Sequence, residues 1–160
     1  MGQFNAKILA EYTPPRSWSL HRELSYTLTD VTVDEIDCLK AIGVQVVRDT
    51  NKTETISVPK GFVTDLASVP RAAWAFIAPW DVARSAIIHD LLYKAIRKYR
   101  WKNDKEDSAL VAKAKKVADK VFLCGMNDAS PAVPAWKKYS AYYAVVLFGR
   151  WSIIPNESNI

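Results

Sequence analysis

Residues 87–93 place an imidazole, a carboxylate and a phenol on neighbouring turns of what the pattern predicts to be one helix. His89 and Tyr93 are four residues apart and share a helix face, whereas Asp90 points about 100° away from His89. The imidazole can take a proton from water near neutral pH, and a carboxylate can hold a cation that polarises a substrate. The spacing therefore indicates a reaction centre. The alternative is a histidine that is simply part of the core, which is the commoner role for a lone histidine in an apolar helix.

Asp65 lies in a second informative segment, residues 61–71, whose pattern predicts a strand end, a loop and then a capped helix. A carboxylate on such a loop can bind a metal together with exposed backbone carbonyls. Aspartate also favours such positions for local reasons, because its side chain caps turns and helices. Both interpretations of Asp65 stay open at this stage.

Asp119 is the one carboxylate in a largely apolar segment, residues 117–123, near the end of a long predicted helix. A carboxylate that accepts a hydrogen bond from one imidazole nitrogen fixes the tautomer and leaves the other nitrogen free as a base. We therefore expect Asp119 to orient His89, with the Tyr93 hydroxyl holding the carboxylate.

The elements that must position these residues follow from periodicity. Alternating or β-branched segments separated by turn signals predict a small antiparallel sheet, with strands at residues 7–12, 24–28, 44–48 and 55–58. Residues 32–42 predict a short helix within this region. The period becomes helical from residue 68 onward, so the predicted fold is α+β, a small sheet followed by three main helices.

Capping residues predict where the first two main helices begin and end. Asp81 is the expected cap of the first, which runs to about Arg100. Asn103 or Asp104 is the expected cap of the second, which ends before Gly125. These two helices would form the hairpin that carries the histidine and its aspartate.

The third main helix is expected to open at Ser130 and Pro131 and to stop at Gly149. The chain would then be one domain, with a strand-rich part over residues 1–63, a helical part over 64–151 and a tail over 152–160. The many Trp and Tyr residues are expected to lie mostly in the core, with a minority at an interface. They are Trp74, Trp80, Trp101, Trp136, Trp151, Tyr139, Tyr142 and Tyr143.

Composition limits the classes of function. No stretch approaches the roughly 18 apolar residues of a membrane span, and the N-terminus lacks the apolar core of a signal peptide. Cys38 and Cys124 lie far apart without metal-type spacing, so we expect free thiols. The net charge of +5 is concentrated in residues 94–120, which favours a solvated basic face over docking on nucleic acid or anionic lipid. No motif for specific reading of nucleic acid is present.

Four segments, taken in order, resemble the tailed-phage family called domain of unknown function 1353. They are Gly-Phe-x-Thr-Asp-x-Ala-Ser-x-Pro at 61–70, His-Asp-x-Leu-Tyr at 89–93, Ala-Asp-x-x-Phe at 118–122 and a Tyr-rich stretch ending in Phe-Gly at 142–149. The resemblance spans roughly residues 18–151. It implies a bacteriophage protein located in the virion or the host cytoplasm, with other virion proteins or the host envelope as partners. It implies no particular activity.

The motif His89-Asp90-x-x-Tyr93 followed by Asp119 is also similar to the centre of secretory phospholipases of the A-two type, especially the small prokaryotic ones. This second resemblance implies that His89 is the general base that activates water. It makes Asp119 the orienting partner of the base and Tyr93 a hydrogen-bond donor to Asp119.

The phospholipase resemblance also implies a cation site formed by Asp65, Asp90 and the backbone carbonyl of Leu66. Calcium is the expected ion, because it prefers oxygen ligands and tolerates irregular loops. The chain departs from the animal enzymes, since it lacks their multiple disulfides and their Gly-rich calcium loop.

Two functions from different classes follow. One is a metal-assisted phage hydrolase that attacks an ester or amide bond of the host envelope. The other is a structural virion component, at the tail or its tip, in which the same residues form a hydrogen-bond network. A cleft open to solvent beside His89 would favour the enzyme, whereas burial of that face under Trp or Tyr side chains would favour the structural role.

Overall fold

A computed structural model describes residues 2–14, 17–64, 79–103 and 107–160, with side chains in the longest helix described from residue 82 onward. Within these ranges a strand-rich region precedes three long helices, and one short helix is inserted among the strands. The predicted α+β class is therefore confirmed.

The strands form two antiparallel sheets. The first has the order β1-β4-β6-β5 and the second the order β2-β3-β7. In the first sheet Tyr26 is paired with Ile56, so the two side chains lie on the same face of the sheet. Both are fully buried, which shows that this face lies against the core. The strands are β1 (Gln3–Phe4), β2 (Ala10–Thr13), β3 (Ser17–Leu20), β4 (Leu24–Thr27), β5 (Val46–Arg48), β6 (Glu54–Val58) and β7 (Val63–Thr64).

The predicted strands at 24–28 and 55–58 coincide with β4 and β6, whereas β2 and β5 begin later than predicted. The sequence pattern missed β1 and β3, whereas β7 lies in residues 61–71, where a strand end is predicted. β1 has only two residues, too few to show an alternating pattern, and it forms because β4 supplies its hydrogen-bond partners.

The short helix α1 (Val33–Ala41) lies where residues 32–42 predict one. Thr32 caps it with a capping box: its hydroxyl accepts from the Glu35 backbone N–H, and the Glu35 carboxylate accepts from the Thr32 N–H. This reciprocal pair is local in sequence, which is why the helix start is predictable.

The three long helices are α2 (Pro79–Lys102), α3 (Ser108–Asn127) and α4 (Ala135–Ser152). The predicted caps of the first two are wrong. Asp81 lies inside α2, and the N-cap of α3 is Asp107, whose carboxylate accepts from the backbone N–H groups of Ala109 and Leu110. Asn103 instead donates its side-chain amide to the Tyr99 carbonyl, and Asp104 lies outside the described residues.

Gly125 and Gly149 lie inside α3 and α4, so the prediction that each ends a helix is wrong. A Cβ at Gly125 would lie 2.8 Å from the Ser85 Oγ, and a Cβ at Gly149 would collide with the Tyr93 hydroxyl. Both glycines therefore serve close packing against α2. The start of α4 at Ala135 is also later than Ser130 and Pro131 predict.

α2 and α3 form the expected hairpin. Ser85 lies beside Gly125 and Tyr93 bonds to Asp119, so the two helices run antiparallel. α3 packs against α2 on one side and α4 on another, and it also contacts α1. No helix within the described ranges is long and apolar enough to cross a bilayer.

Part of the basic region is paired rather than simply solvated. Lys113 Nζ lies 2.5 Å from the Asp34 carboxylate, and Lys120 Nζ lies 2.7 Å from that of Glu35. These ion pairs join α3 to α1. The two cysteines are buried free thiols, as expected.

The expectation that the aromatic residues lie mostly in the core is wrong for most of those whose side chains are described. About half of each side chain is exposed in Trp101, Trp136, Trp151, Tyr139 and Tyr143. The side chains of Trp74 and Trp80 lie outside the described part of the chain. Four of the five exposed residues lie on α4, which directs attention to the outer face of that helix.

Candidate functional site

His89, Asp119 and Tyr93 meet in the core between α2 and α3. The His89 Nε2 lies 3.0 Å from the Asp119 Oδ1, and the Tyr93 hydroxyl donates to the same oxygen at 2.7 Å. His89 and Tyr93 are completely buried and Asp119 is nearly so. The structure thus brings together the three residues that the sequence selects.

Helix geometry explains this arrangement. His89 and Tyr93 are one turn apart on α2, and their rings pack with centroids 4.0 Å apart. From α3, Phe122 covers the imidazole with its ring centroid 5.0 Å away, and Asp119 lies one turn earlier on the same helix. The imidazole therefore contacts two aromatic rings, and its Nε2 faces the carboxylate.

The hydrogen bond to Asp119 settles the tautomer of His89, because a carboxylate can only accept. The proton therefore sits on Nε2, and Nδ1 carries a lone pair. Within the described part of the chain, Nδ1 is a buried atom with no hydrogen-bond partner. Burial lowers the pKa of His89, although the bond and charge of Asp119 act in the opposite direction. The ring is therefore neutral near pH 7, and the lone pair of Nδ1 is enclosed in the core.

Lys115 is a member of this cluster that the sequence analysis missed. Its Nζ lies 2.7 Å from the Asp119 Oδ2 and also donates to the carbonyls of Val145 and Val146 on α4, at 3.2 and 3.3 Å. Its place within residues 94–120 predicts a solvated position on the basic face, and that prediction is wrong for this side chain. The four-residue separation of Lys115 and Asp119 was the available signal, since such pairs meet on a helix surface.

Three donors keep Asp119 ionised. Burial by itself raises the pKa of this carboxyl group, but the hydrogen bonds from His89, Lys115 and Tyr93 together hold the pKa below its usual range. Burial and the neighbouring Asp119 charge raise the pKa of Tyr93, so the phenol stays protonated and remains a donor. Gly149 completes the packing, since only a residue without a side chain leaves room for the Tyr93 hydroxyl.

Asp90 faces a different side of α2 from His89. It is buried and accepts a hydrogen bond from the Thr64 hydroxyl of β7. It also lines a cavity of about 400 Å³, together with Thr64, Lys94 and Arg97. Burial, followed by the charges of neighbouring cations, lowers the pKa of Lys94. The helix thus presents its histidine to the core and its aspartate to a polar cavity.

The remaining metal ligands expected from the sequence, Asp65 and Leu66, lie outside the described residues. The described ranges contain no cluster of three or more His, Cys, Asp or Glu side chains that could hold a metal ion. Of the three expected metal ligands, Asp90 is therefore the one that lies within the described residues. Its carboxylate oxygens are hard ligands of the type that calcium prefers.

The family model described as "Protein of unknown function (DUF1353)" matches residues 41–145. The chain belongs to this family. The matched region contains His89, Asp90, Tyr93 and Asp119, and it ends before Gly149. No curated protein and no solved structure matches the chain. The likeness to phospholipases therefore rests on the site residues alone.

Proposed function

We propose that this protein is a hydrolase in which His89 is the general base that activates water against an ester or amide bond of a host envelope. The proposal rests on the hydrogen bonding of the two imidazole nitrogens. Its Nε2 is held by Asp119, whereas Nδ1 is buried with no partner among the described residues. Leaving a buried nitrogen without a hydrogen bond lowers the free energy of unfolding by about 1 to 3 kcal/mol. A catalytic role is one explanation for such an atom in a folded protein.

The reaction would proceed by transfer of one proton through His89. As the water oxygen attacks the carbonyl carbon, Nδ1 takes a proton from the water and the ring becomes an imidazolium. Asp119 stabilises this cation through Nε2–H, and it stays ionised because Tyr93 and Lys115 donate to it. The imidazolium then returns the proton from Nδ1 to the leaving oxygen or nitrogen, so the base is regenerated.

Asp90 would hold a calcium ion together with Asp65 and the Leu66 carbonyl. When bound, the cation would supply the positive charge that polarises the scissile carbonyl. Asp90 is suited to this task because it is ionisable, lines a cavity and is oriented by the Thr64 hydroxyl. Asp65 and Leu66 follow directly in the sequence on Thr64, the last residue of β7.

A structural virion component is the second candidate. The burial of His89, which is the expected sign of a structural role, favours it over the enzyme. The exposed fraction of His89 is 0%, with Tyr93 and Phe122 packed on its ring. In this role Asp119 would act as the hub of a network that joins α2, α3 and, through Lys115, α4. The network would then stabilise the fold without turning over a substrate.

The two candidates are separated by His89→Gln, with His21→Gln as the matched control. Glutamine can still bond to Asp119 but cannot cycle a proton near neutral pH. His21, the other histidine of the chain, is exposed and pairs with Glu11 on the surface. The assay is release of acid from phospholipid vesicles and from envelope peptides and esters, with calcium present.

For a hydrolase, we expect His89→Gln to lose about 10²- to 10⁴-fold in turnover while its melting temperature changes little, and His21→Gln to keep full activity. Equal turnover in wild type and His89→Gln would exclude the imidazole as the base. No turnover by wild type on any substrate, combined with a melting temperature that Asp119→Leu lowers and His89→Gln leaves nearly unchanged, would support the structural role instead.

A further inference from the structure

The outward face of α4 is apolar. Five large residues recur at intervals of three or four, so they form one stripe along the helix. This aromatic stripe consists of Trp136, Tyr139, Tyr143, Leu147 and Trp151. The exposed fraction of each of these residues lies between 51% and 62%. Phe148 and Ile154, each about half exposed, extend the same surface.

The opposite face of α4 is also apolar, but it is covered. Ala141, Val145 and Gly149 are buried, and Gly149 lies against Tyr93. A surface helix normally has one apolar face toward the core and polar residues toward solvent. A contiguous exposed patch of large apolar residues on a folded domain marks an interaction surface. α4 therefore uses one face for the core and leaves the aromatic stripe for a partner.

The charges on α4 are all positive. The helix carries Lys137, Lys138 and Arg150 and no acidic residue. The Arg150 guanidinium lies 4.0 Å from the centroid of the Trp151 ring, and the Lys137 Nζ lies 5.7 Å from that of Trp136. These cation–π contacts place one cation beside each end of the stripe. The partner should accordingly combine an apolar layer with negative charge.

A second copy of the chain fits these charges poorly. In a symmetric pair the same stripe would face itself, which brings the cations of the two helices together with no acidic residue on either helix to offset them. An anionic lipid surface matches both features. Trp and Tyr rings suit the boundary between headgroups and acyl chains, and Lys and Arg are attracted to lipid phosphates.

We propose that α4 docks this protein on an anionic lipid bilayer, with the aromatic stripe in the headgroup region and Lys137 and Arg150 against lipid phosphates. The stripe points away from Tyr93 and the His89 cluster, so docking does not depend on hydrolysis. It can be measured with an inactive variant such as His89→Gln.

The test is co-sedimentation of the full chain with vesicles of phosphatidylcholine alone and with vesicles that also contain phosphatidylglycerol. We expect binding to the anionic vesicles that weakens as salt is raised. Tyr143→Ser/Leu147→Ser should reduce the partition coefficient about tenfold or more, because two apolar side chains no longer enter the interface. Arg150→Gln should reduce it about fivefold, on anionic vesicles only.

Leu9→Ser is the matched control, because Leu9 is also a large apolar residue with an exposed fraction of 57% and lies outside α4. It should bind as wild type does, and circular dichroism should show that all variants are folded. Failure of wild type to bind anionic vesicles would overturn the proposal. So would sedimentation velocity showing a dimer that Leu147→Ser dissociates, since a second copy would then cover the stripe.

Discussion

Replacing Lys115 by methionine should destabilise the protein far more than its position on a basic helix face indicates. Methionine keeps most of the side-chain volume and removes the ammonium group that lies 2.7 Å from the Asp119 Oδ2. The side chain of Lys115 is 13% exposed and that of Asp119 is 4% exposed, so little solvent screens this pair. The variant would leave a buried carboxylate with two donors, His89 and Tyr93.

The expected loss follows from these contacts. One hydrogen bond to a charged group contributes about 1.5 to 3 kcal/mol, and loss of one partner of a buried ion pair costs about 3 to 5 kcal/mol. The remaining donors offset part of the larger figure, so we expect about 3 kcal/mol. The carbonyls of Val145 and Val146 add little, because carbonyls within a helix already accept backbone bonds. For a chain of this size, 3 kcal/mol corresponds to roughly 6 to 12 °C in melting temperature.

The assay is urea and thermal unfolding at pH 7, with Lys116→Met as the control. Lys116 is the next residue on α3 and is exposed, so its replacement should change the free energy of unfolding by less than about 0.5 kcal/mol. A double-mutant cycle with Asp119→Leu should show a coupling energy of at least about 1 kcal/mol between Lys115 and Asp119. Equal melting temperatures for Lys115→Met and Lys116→Met would refute the reasoning.

Three further predictions concern the histidine, the glycine of α4 and the metal. Because burial lowers the pKa of His89, the unfolded chain binds a proton below about pH 6.5 more readily than the folded chain does. The free energy of unfolding should therefore fall as the pH is lowered from about 7 to about 5.5, and urea titrations of His89→Gln should show a smaller loss. Gly149→Ala should lower stability by about 1 to 3 kcal/mol, and Tyr93→Phe should restore part of it by removing the hydroxyl that a Cβ would meet; additive effects would contradict this packing. Calcium should raise the melting temperature of wild type and not of Asp90→Asn; identical wild-type curves with calcium and with chelator would remove the metal site.

Local features of the fold and site were predictable because they depend on residues close in sequence. His89 and Tyr93 share a face for any α-helix, since four residues make about one turn. The capping box of Thr32 and Glu35 likewise needs only a three-residue spacing. The alternating pattern of β4 and β6 also follows from the pleat of a strand.

The register between helices was not predictable in the same way. Simple counting along the hairpin places His89 opposite about residue 115, whereas in the structure it bonds to Asp119. The turn and the crossing of α2 and α3 decide which residues meet, and both depend on packing across the core. Lys115 therefore does not pair with His89 across the hairpin. It contacts Asp119, which lies one turn further along the same helix.

The glycines and the aromatic residues show the same limit. Gly125 and Gly149 have the composition signal of a helix end, yet each lies within a helix because a side chain of α2 occupies the space where a Cβ would be. The sequence alone determined that α4 is rich in Trp and Tyr. Only the tertiary structure decided which of its faces is covered, because burial depends on the elements that pack against a helix, and the described contacts of α4 with α2 and α3 involve the face that carries Val145 and Gly149.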